Sequence, residues 1–146
     1  MLKDAIEVLM MEDDPGDVKL TRESLKQSKL FVNFRTVADG KEGIEYLRKQ
    51  GRYAGEKTPD LILLDLNMPK MNGRQVLHEI KNDKNLKSIP VVILTTSQAE
   101  EDIAKSYSEG ANCYIAKPVD FDLFEKVVQK IYDFWFVVVK LPHPKG

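Results

Sequence analysis

Hydrophobic residues along the chain alternate between short continuous runs and longer stretches with helical spacing. The continuous runs are rich in β-branched residues and cover Ile6–Met11, Phe31–Ala38, Leu61–Leu66, Val91–Thr95 and Asn112–Ala116. In several of them nearly every position is apolar, which is typical of parallel strands that are covered on both faces. The pattern therefore predicts five buried strands.

Between and after these runs lie amphipathic segments in which apolar residues recur every three or four positions. The last segment has a single apolar face, formed by Phe121, Phe124, Val127, Val128, Ile131 and Trp135. This is the spacing of a helix that packs through one side. Because strands alternate with helices, the chain is predicted to be an α/β protein with a doubly wound, five-stranded parallel sheet.

The start of the first helix is marked by three residues. Asp14 is a candidate N-cap residue, and Pro15 follows it at the first helical position. Asp17 adds negative charge to the first turn, where the helix dipole favours it. Asp14 could also belong to an acidic pair that binds a metal, but the proline after it favours the capping role.

Composition and charge narrow the class of protein. The 146 residues suffice for one domain, 42% of them are hydrophobic, and the net charge of −1 argues against a uniformly basic, nucleic-acid-binding surface. The single cysteine, Cys113, excludes an internal disulfide and a cysteine-rich zinc site. We find neither a signal peptide nor the run of about 20 apolar residues that spans a membrane. We therefore expect a soluble, cytoplasmic protein with no direct contact with membrane or nucleic acid.

Polar residues follow the predicted strands at their carboxyl ends, where functional groups gather in open parallel α/β sheets. In strand order, the motifs are Glu12-Asp13-Asp14, Asp65-Leu66-Asn67, Thr95-Thr96-Ser97 and Lys117-Pro118. Clustered carboxylates repel one another unless a cation lies among them, and Mg²⁺ prefers oxygen ligands of this kind. A lysine and a hydroxyl group add hydrogen-bond donors for a phosphate. The set therefore fits a carboxylate that accepts a phosphoryl group.

These motifs resemble the response-regulator receiver family. The resemblance rests on Met11–Pro15, Leu63–Gly73, Ile93–Ser97 and Ile115–Pro118, which occur in order between about Glu7 and Asp133. It implies a flavodoxin-like (βα)5 fold with strand order 2-1-3-4-5. We accordingly expect a receiver domain at residues 1–135 and a C-terminal tail at residues 136–146.

The resemblance also implies a role for each acidic position. Asp65 would be the phosphoacceptor. Mg²⁺ would be bound by Asp65 and Asp13 directly, by Glu12 through water, and by the backbone carbonyl of Asn67.

The remaining site residues follow from the same resemblance. Thr95 and Lys117 would bind the phosphoryl group; Thr96 is the competing hydroxyl, but only one of two successive strand residues can face the crevice. Tyr114 would be the aromatic switch residue, although strand aromatics are also common packing residues. Lys117-Pro118 would have a cis peptide bond.

The sequence is similar, within this family, to single-domain regulators that partner bacterial phytochromes. A long loop before Thr58-Pro59, the run Ile89–Ser97 and the aromatic ending from Phe134 carry this similarity. It implies a switch in a two-component phosphorelay, phosphorylated by a sensor histidine kinase and read by a downstream protein target. Phe134, Trp135 and Phe136 would form a homodimer contact, or would instead pack within the chain.

Two other functions remain open. An aspartyl-phosphate phosphatase also uses Mg²⁺ and a nucleophilic aspartate, but it needs a second acid where this chain has Asn67. A degenerate receiver would act as a binding module without phosphorylation, which the complete set of Asp13, Asp65, Thr95 and Lys117 disfavours. We therefore expect a phosphoacceptor signalling domain and no enzyme beyond self-catalysed phosphotransfer and dephosphorylation.

Overall fold

The computed structural model describes residues 5–27 and 31–138, with the backbone alone at residues 137 and 138. Its strands are β1 (Ile6–Met11), β2 (Val32–Val37), β3 (Leu61–Leu64), β4 (Val91–Thr95) and β5 (Cys113–Ala116). Its α-helices are α1 (Pro15–Lys26), α2 (Gly40–Leu47), α3 (Gly73–Lys81), α4 (Glu100–Ser108) and α5 (Phe121–Asp133). All five predicted strands are present, β1 and β4 with the predicted bounds.

The strands form one parallel sheet in the order β2-β1-β3-β4-β5, which confirms the predicted fold. Met11 pairs with Leu64 across β1 and β3, and Thr95 pairs with Ala116 across β4 and β5. Because these pairs lie at the ends of their strands, the polar residues that follow them share one edge of the sheet.

Two hydrophobic cores cover the two faces of the sheet. Successive residues of one strand enter different cores, as Leu9 and Met10 do in β1. One core packs the sheet against α2 and α3, and the other packs it against α1 and α5. Both faces of the central strands are therefore buried, which explains their continuous apolar runs.

The predicted start of the first helix is confirmed. The Asp14 carboxylate accepts hydrogen bonds from the backbone N–H groups of Gly16 at 2.8 Å and Asp17 at 3.3 Å. Pro15 occupies the first position of α1. Asp14 is thus a capping residue, and its carboxylate is committed to the start of α1.

The last helix continues into a π-helical segment, Phe134–Val138. Trp135 and Phe136 are half-buried and pack against the core beside α5, whereas Phe134 is 52% exposed. Residues 139–146 lie outside the described residues, so the tail predicted at residues 136–146 stays a prediction. Within the described part of the chain, no helix is long and apolar enough to cross a membrane.

Candidate functional site

Four predicted site residues meet at the carboxyl edge of the sheet. Glu12, Asp65 and Lys117 directly follow β1, β3 and β5, and Thr95 ends β4. All four side chains are buried. Buried polar groups need partners that compensate for lost hydration, so the contacts among these four residues determine what the site can bind.

Three carboxylates cluster on the acidic side of the site. Glu12, Asp13 and Asp65 each offer an oxygen atom, and these atoms lie within 4.8 Å of one another. Glu12 and Asp65 are buried and Asp13 is exposed. Oxygen donors at this spacing suit Mg²⁺, which binds one or two carboxylates and retains water ligands. The donor set therefore fits a small divalent cation that is accessible from the side of Asp13.

Asn67 lies at the edge of this cluster. Its backbone N–H points towards Asp65 Oδ1 at 3.4 Å, and its side chain is exposed. The backbone carbonyl role predicted for Asn67 stays a prediction.

Lys117 brings the positive charge into the cluster. Its Nζ donates hydrogen bonds to Glu12 and to Asp17 Oδ2, the latter at 2.8 Å, and lies 3.6 Å from Asp65 Oδ2. Burial alone would lower the pKa of Lys117, but the hydrogen bonds to Asp17 and Glu12 and the nearby carboxylate charges raise it above its ordinary value. The ammonium group therefore stays charged at neutral pH.

Glu12 is the carboxylate most affected by its surroundings. Burial raises the pKa of Glu12 to about 8. The hydrogen bond from Lys117 opposes this rise and the charge of Asp65 adds to it. A positive ion beside Glu12 would favour the deprotonated form.

Thr95 presents an unpaired hydroxyl group. Its side chain is fully buried, and within the described part of the chain its Oγ1 has no hydrogen-bond partner. The neighbouring Thr96 is exposed, as the alternation of side chains along a strand requires. A buried hydroxyl without a partner is uncommon and needs an explanation. An oxygen-rich group bound in the crevice would supply its missing acceptor.

A hydrogen-bond network connects the end of β4 to its neighbours. Ser97 Oγ donates to Asp102 Oδ2 at 2.6 Å, and Arg74 of α3 binds Asp102 Oδ1 at 2.8 Å. Tyr114 of β5 is half-buried, and its hydroxyl donates to the Ser97 carbonyl at 2.9 Å. The loop that follows Thr95 is therefore held by α3, α4 and β5 together.

The peptide bond between Lys117 and Pro118 is trans, so the prediction of a cis bond is wrong. An X-Pro bond prefers trans by about 0.5–1 kcal/mol unless the fold selects cis. Here Lys117 Nζ reaches Glu12 and Asp17 with the trans bond in place. No cis bond is needed to direct the lysine into the crevice.

Gly73 sets the distance between α3 and the phosphoacceptor candidate. A Cβ atom at Gly73 would overlap the Asp65 carbonyl oxygen and lie 2.7 Å from Leu66 Cα. The Gly73 N–H also donates to the Leu66 carbonyl at 2.9 Å. Only a glycine lets α3 begin this close to the backbone of Asp65.

Sequence reasoning assigned Asp17 to the helix dipole and did not place it in the site. The structure brings its carboxylate to Lys117, which is 100 positions away in the chain. Its position in the sequence could have identified it, because Asp17 lies in the first helical turn after the strand end that carries Glu12 and Asp13.

Comparisons with known proteins agree with this geometry. The sequence profile of the response regulator receiver domain family matches residues 8–129. The chain is 46% identical over 136 residues to response regulator Rcp1 of Synechocystis sp., covering 92% of each protein.

Two solved structures are similar over nearly their whole length. The phosphorylated cyanobacterial phytochrome response regulator RcpA has a TM-score of 0.94 and 44% identity, with 96% of this chain and 100% of that chain covered. The Mn²⁺-bound form of Rcp1 has a TM-score of 0.92 and 43% identity, with 94% and 99% covered.

Proposed function

Because the chain belongs to the response regulator receiver domain family, we propose that it accepts a phosphoryl group on Asp65 from a sensor histidine kinase. The observation that carries this proposal is the position of the Asp65 carboxylate. It is buried beside two further carboxylates and the ammonium group of Lys117, at the sheet edge that also carries Thr95, whose hydroxyl has no partner among the described residues. Such a site combines a nucleophile with groups that stabilise an incoming phosphoryl group.

The phosphotransfer step needs a nucleophile and hydrogen-bond donors. An Asp65 oxygen attacks the phosphorus of the kinase phosphohistidine, so that a P–O bond forms while the P–N bond breaks. The imidazole leaves with the electron pair of that bond and takes up a proton. Lys117 and Thr95 donate to the phosphoryl oxygens, whose negative charge they stabilise in the transition state.

The acidic cluster supports a cation-dependent reaction. Glu12, Asp13 and Asp65, with the backbone carbonyl of Asn67, would hold Mg²⁺, which would supply positive charge against the oxygens of the transferred group. The spacing of the three carboxylates supports this assignment. A relative, Rcp1, has been solved in a Mn²⁺-bound form.

The output would be a changed protein surface. Thr95 moves towards the phosphoryl group, and the loop that follows it carries the Ser97 carbonyl bonded by Tyr114. A shift of Thr95 therefore changes the contacts of Tyr114 and of α4, which biases an equilibrium between two conformations. A downstream protein target would bind the altered surface.

The kinase partner and the cellular location are proposed from similarity. RcpA is a phytochrome response regulator, and we propose a bacterial phytochrome kinase as the partner of this chain. The cytoplasm is the proposed location, because phosphotransfer requires the kinase and this chain in one compartment.

A homodimer contact through the aromatic end of the helix is a further part of the proposal. Phe134 is 52% exposed and packs edge-on against Trp135, with ring centroids 5.5 Å apart. Exposed aromatics are favoured at interface cores. Sedimentation of the wild type and Phe134→Ala checks this contact: a dimer that dissociates in the variant supports it, and a monomeric wild type contradicts it.

The phosphoacceptor role is tested by intact-mass measurement after incubation with acetyl phosphate. We expect a phosphate adduct that requires Mg²⁺ and is lost in Asp65→Asn. Asp60→Asn is a matched control, because Asp60 precedes β3 at its opposite end and its carboxylate contacts the Glu7 backbone. No adduct in the wild type at any Mg²⁺ concentration would favour a binding module that acts without phosphorylation.

A further inference from the structure

Asp17 is a partner of Lys117 that lies outside the three-carboxylate cluster. Its Oδ2 is 2.8 Å from Lys117 Nζ, and the two side chains are 22% and 5% exposed. The same Nζ donates to Glu12, whereas Asp65 Oδ2 at 3.6 Å is beyond hydrogen-bond distance. Asp17 and Glu12 therefore determine where the ammonium group lies.

Glu12 has two competing roles in the proposed function. It belongs to the three-carboxylate cluster that would hold the cation, and it accepts a hydrogen bond from Lys117. A divalent cation beside this carboxylate, bound directly or through water, repels the lysine ammonium group and weakens the hydrogen bond between Lys117 and Glu12. Asp17 is not a member of the cluster, so a bound cation would leave its hydrogen bond with Lys117 intact.

Asp17 is held at a fixed place in the fold. Its backbone N–H donates to the Asp14 side chain at 3.3 Å, and its carbonyl accepts from Thr21 Oγ1 at 2.8 Å. The backbone N–H of Lys117 is bonded in turn to the Thr95 carbonyl at 2.7 Å. Hydrogen bonds thus fix the backbone of both residues, and the short Asp17 side chain lies against the long Lys117 side chain.

We propose that Asp17 is a positioning residue that keeps the Lys117 ammonium group beside Asp65 while a cation is bound in the cluster that includes Glu12. This inference rests on the proposed phosphoacceptor function. Asp17 does not touch the transferred group; it acts by limiting the positions that the lysine side chain adopts. The Lys117 side chain then loses its conformational entropy when the protein folds, before the phosphoryl donor arrives.

A double-mutant cycle tests whether Asp17 acts through Lys117. The rate of phosphate-adduct formation from acetyl phosphate is measured at saturating Mg²⁺ for the wild type, Asp17→Asn, Lys117→Met and the double variant. We expect Asp17→Asn to slow the reaction about fivefold, because the hydrogen bond from Lys117 loses the charge of its acceptor and becomes weaker. In the Lys117→Met background the same change should have no effect, because interacting residues are not additive.

A matched control accounts for the lost negative charge. Asp122 lies exposed in the first turn of α5 and is not among the carboxylates that pair with Lys117 in the described structure, so Asp122→Asn removes a charge from a helix start without breaking a contact of that lysine. Its rate should equal that of the wild type. A slowing that is the same with and without Lys117, or a faster reaction in Asp17→Asn, would overturn the proposal.

A second measurement does not require phosphorylation. The ¹⁵N signal of the Lys117 ammonium group, assigned with Lys117→Met, should remain sharp when Mg²⁺ is added to the wild type and should broaden in Asp17→Asn. A signal that survives Mg²⁺ equally in both proteins would refute the positioning role. If the wild type forms no adduct, the proposed function fails, and this signal still decides whether Asp17 positions the lysine.

Discussion

Thr95→Val removes the buried hydroxyl group that has no partner while keeping the shape of the side chain. A buried polar group left unpaired costs about 1–3 kcal/mol, and Thr95 is fully buried with no partner for Oγ1 among the described residues. The variant should therefore raise the free energy of unfolding by about 1 kcal/mol. For a chain of this length, that corresponds to a rise of about 3 °C in the melting temperature.

Thr21→Val provides a matched control for this measurement. Thr21 is also fully buried, but its Oγ1 donates to the Asp17 carbonyl at 2.8 Å. Its replacement should lower the free energy of unfolding by about 1 kcal/mol, because a satisfied hydrogen bond is lost. Urea unfolding of the two variants and the wild type, without added cation, measures both effects.

Thr95→Val should stabilise the fold but slow the phosphorylation reaction. Thr95→Val lacks the donor for the phosphoryl group, so adduct formation from acetyl phosphate should slow about tenfold. A destabilised Thr95→Val would show that the hydroxyl group has a partner in the folded protein. That result would refute the inference that the Thr95 hydroxyl group is free to donate to a bound phosphoryl group.

Three further substitutions test other parts of the site. Gly73→Ala should lower the free energy of unfolding by about 1–3 kcal/mol, because the added Cβ atom would overlap the backbone of Asp65. Gly55 has open space around it, so Gly55→Ala should leave the free energy of unfolding nearly unchanged in the same urea unfolding series. The pKa of Glu12 is raised to about 8 from an ordinary value of 4.5, so the folded protein retains a proton that the unfolded chain releases. Without cation, stability should fall as the pH rises from about 5 to about 8, and Glu12→Gln should flatten that slope; an unchanged slope would contradict the assignment. Asp102→Ala should release the loop after β4, because it breaks the contacts to α3 and to that loop; faster hydrogen exchange in the loop, with that of β1 unchanged, would confirm it.

The strands and the edge of the sheet that carries the site could be predicted from local pattern. Leu61–Leu64 is apolar at every position because β3 lies between β1 and β4 and is covered on both faces. Polar residues that directly follow such strands must emerge at their carboxyl ends. Parallel strands bring those ends to one edge, so Glu12, Asp65 and Thr95 could be placed together before any distance was known.

The aromatic end of the chain shows where pattern was insufficient. Phe134, Trp135 and Phe136 are consecutive and apolar, but two of them pack against the core and Phe134 remains exposed. The direction of each side chain depends on the π-helical turn that follows α5. Sequence periodicity assumes regular helix geometry and cannot anticipate that change.

The sequence by itself determined the order of strands and helices, the start of α1 at Asp14 and the set of side chains at the carboxyl edge. Those features depend on backbone periodicity and on local hydrogen bonding, which neighbouring residues specify. The tertiary structure alone decided that Asp17 binds Lys117 and that the Thr95 hydroxyl has no partner among the described residues. These features depend on distances between atoms far apart in the chain, which strand register and helix packing set together. Asp17 and Lys117 are 100 positions apart, and only the folded sheet with α1 packed beside it brings their charges into contact.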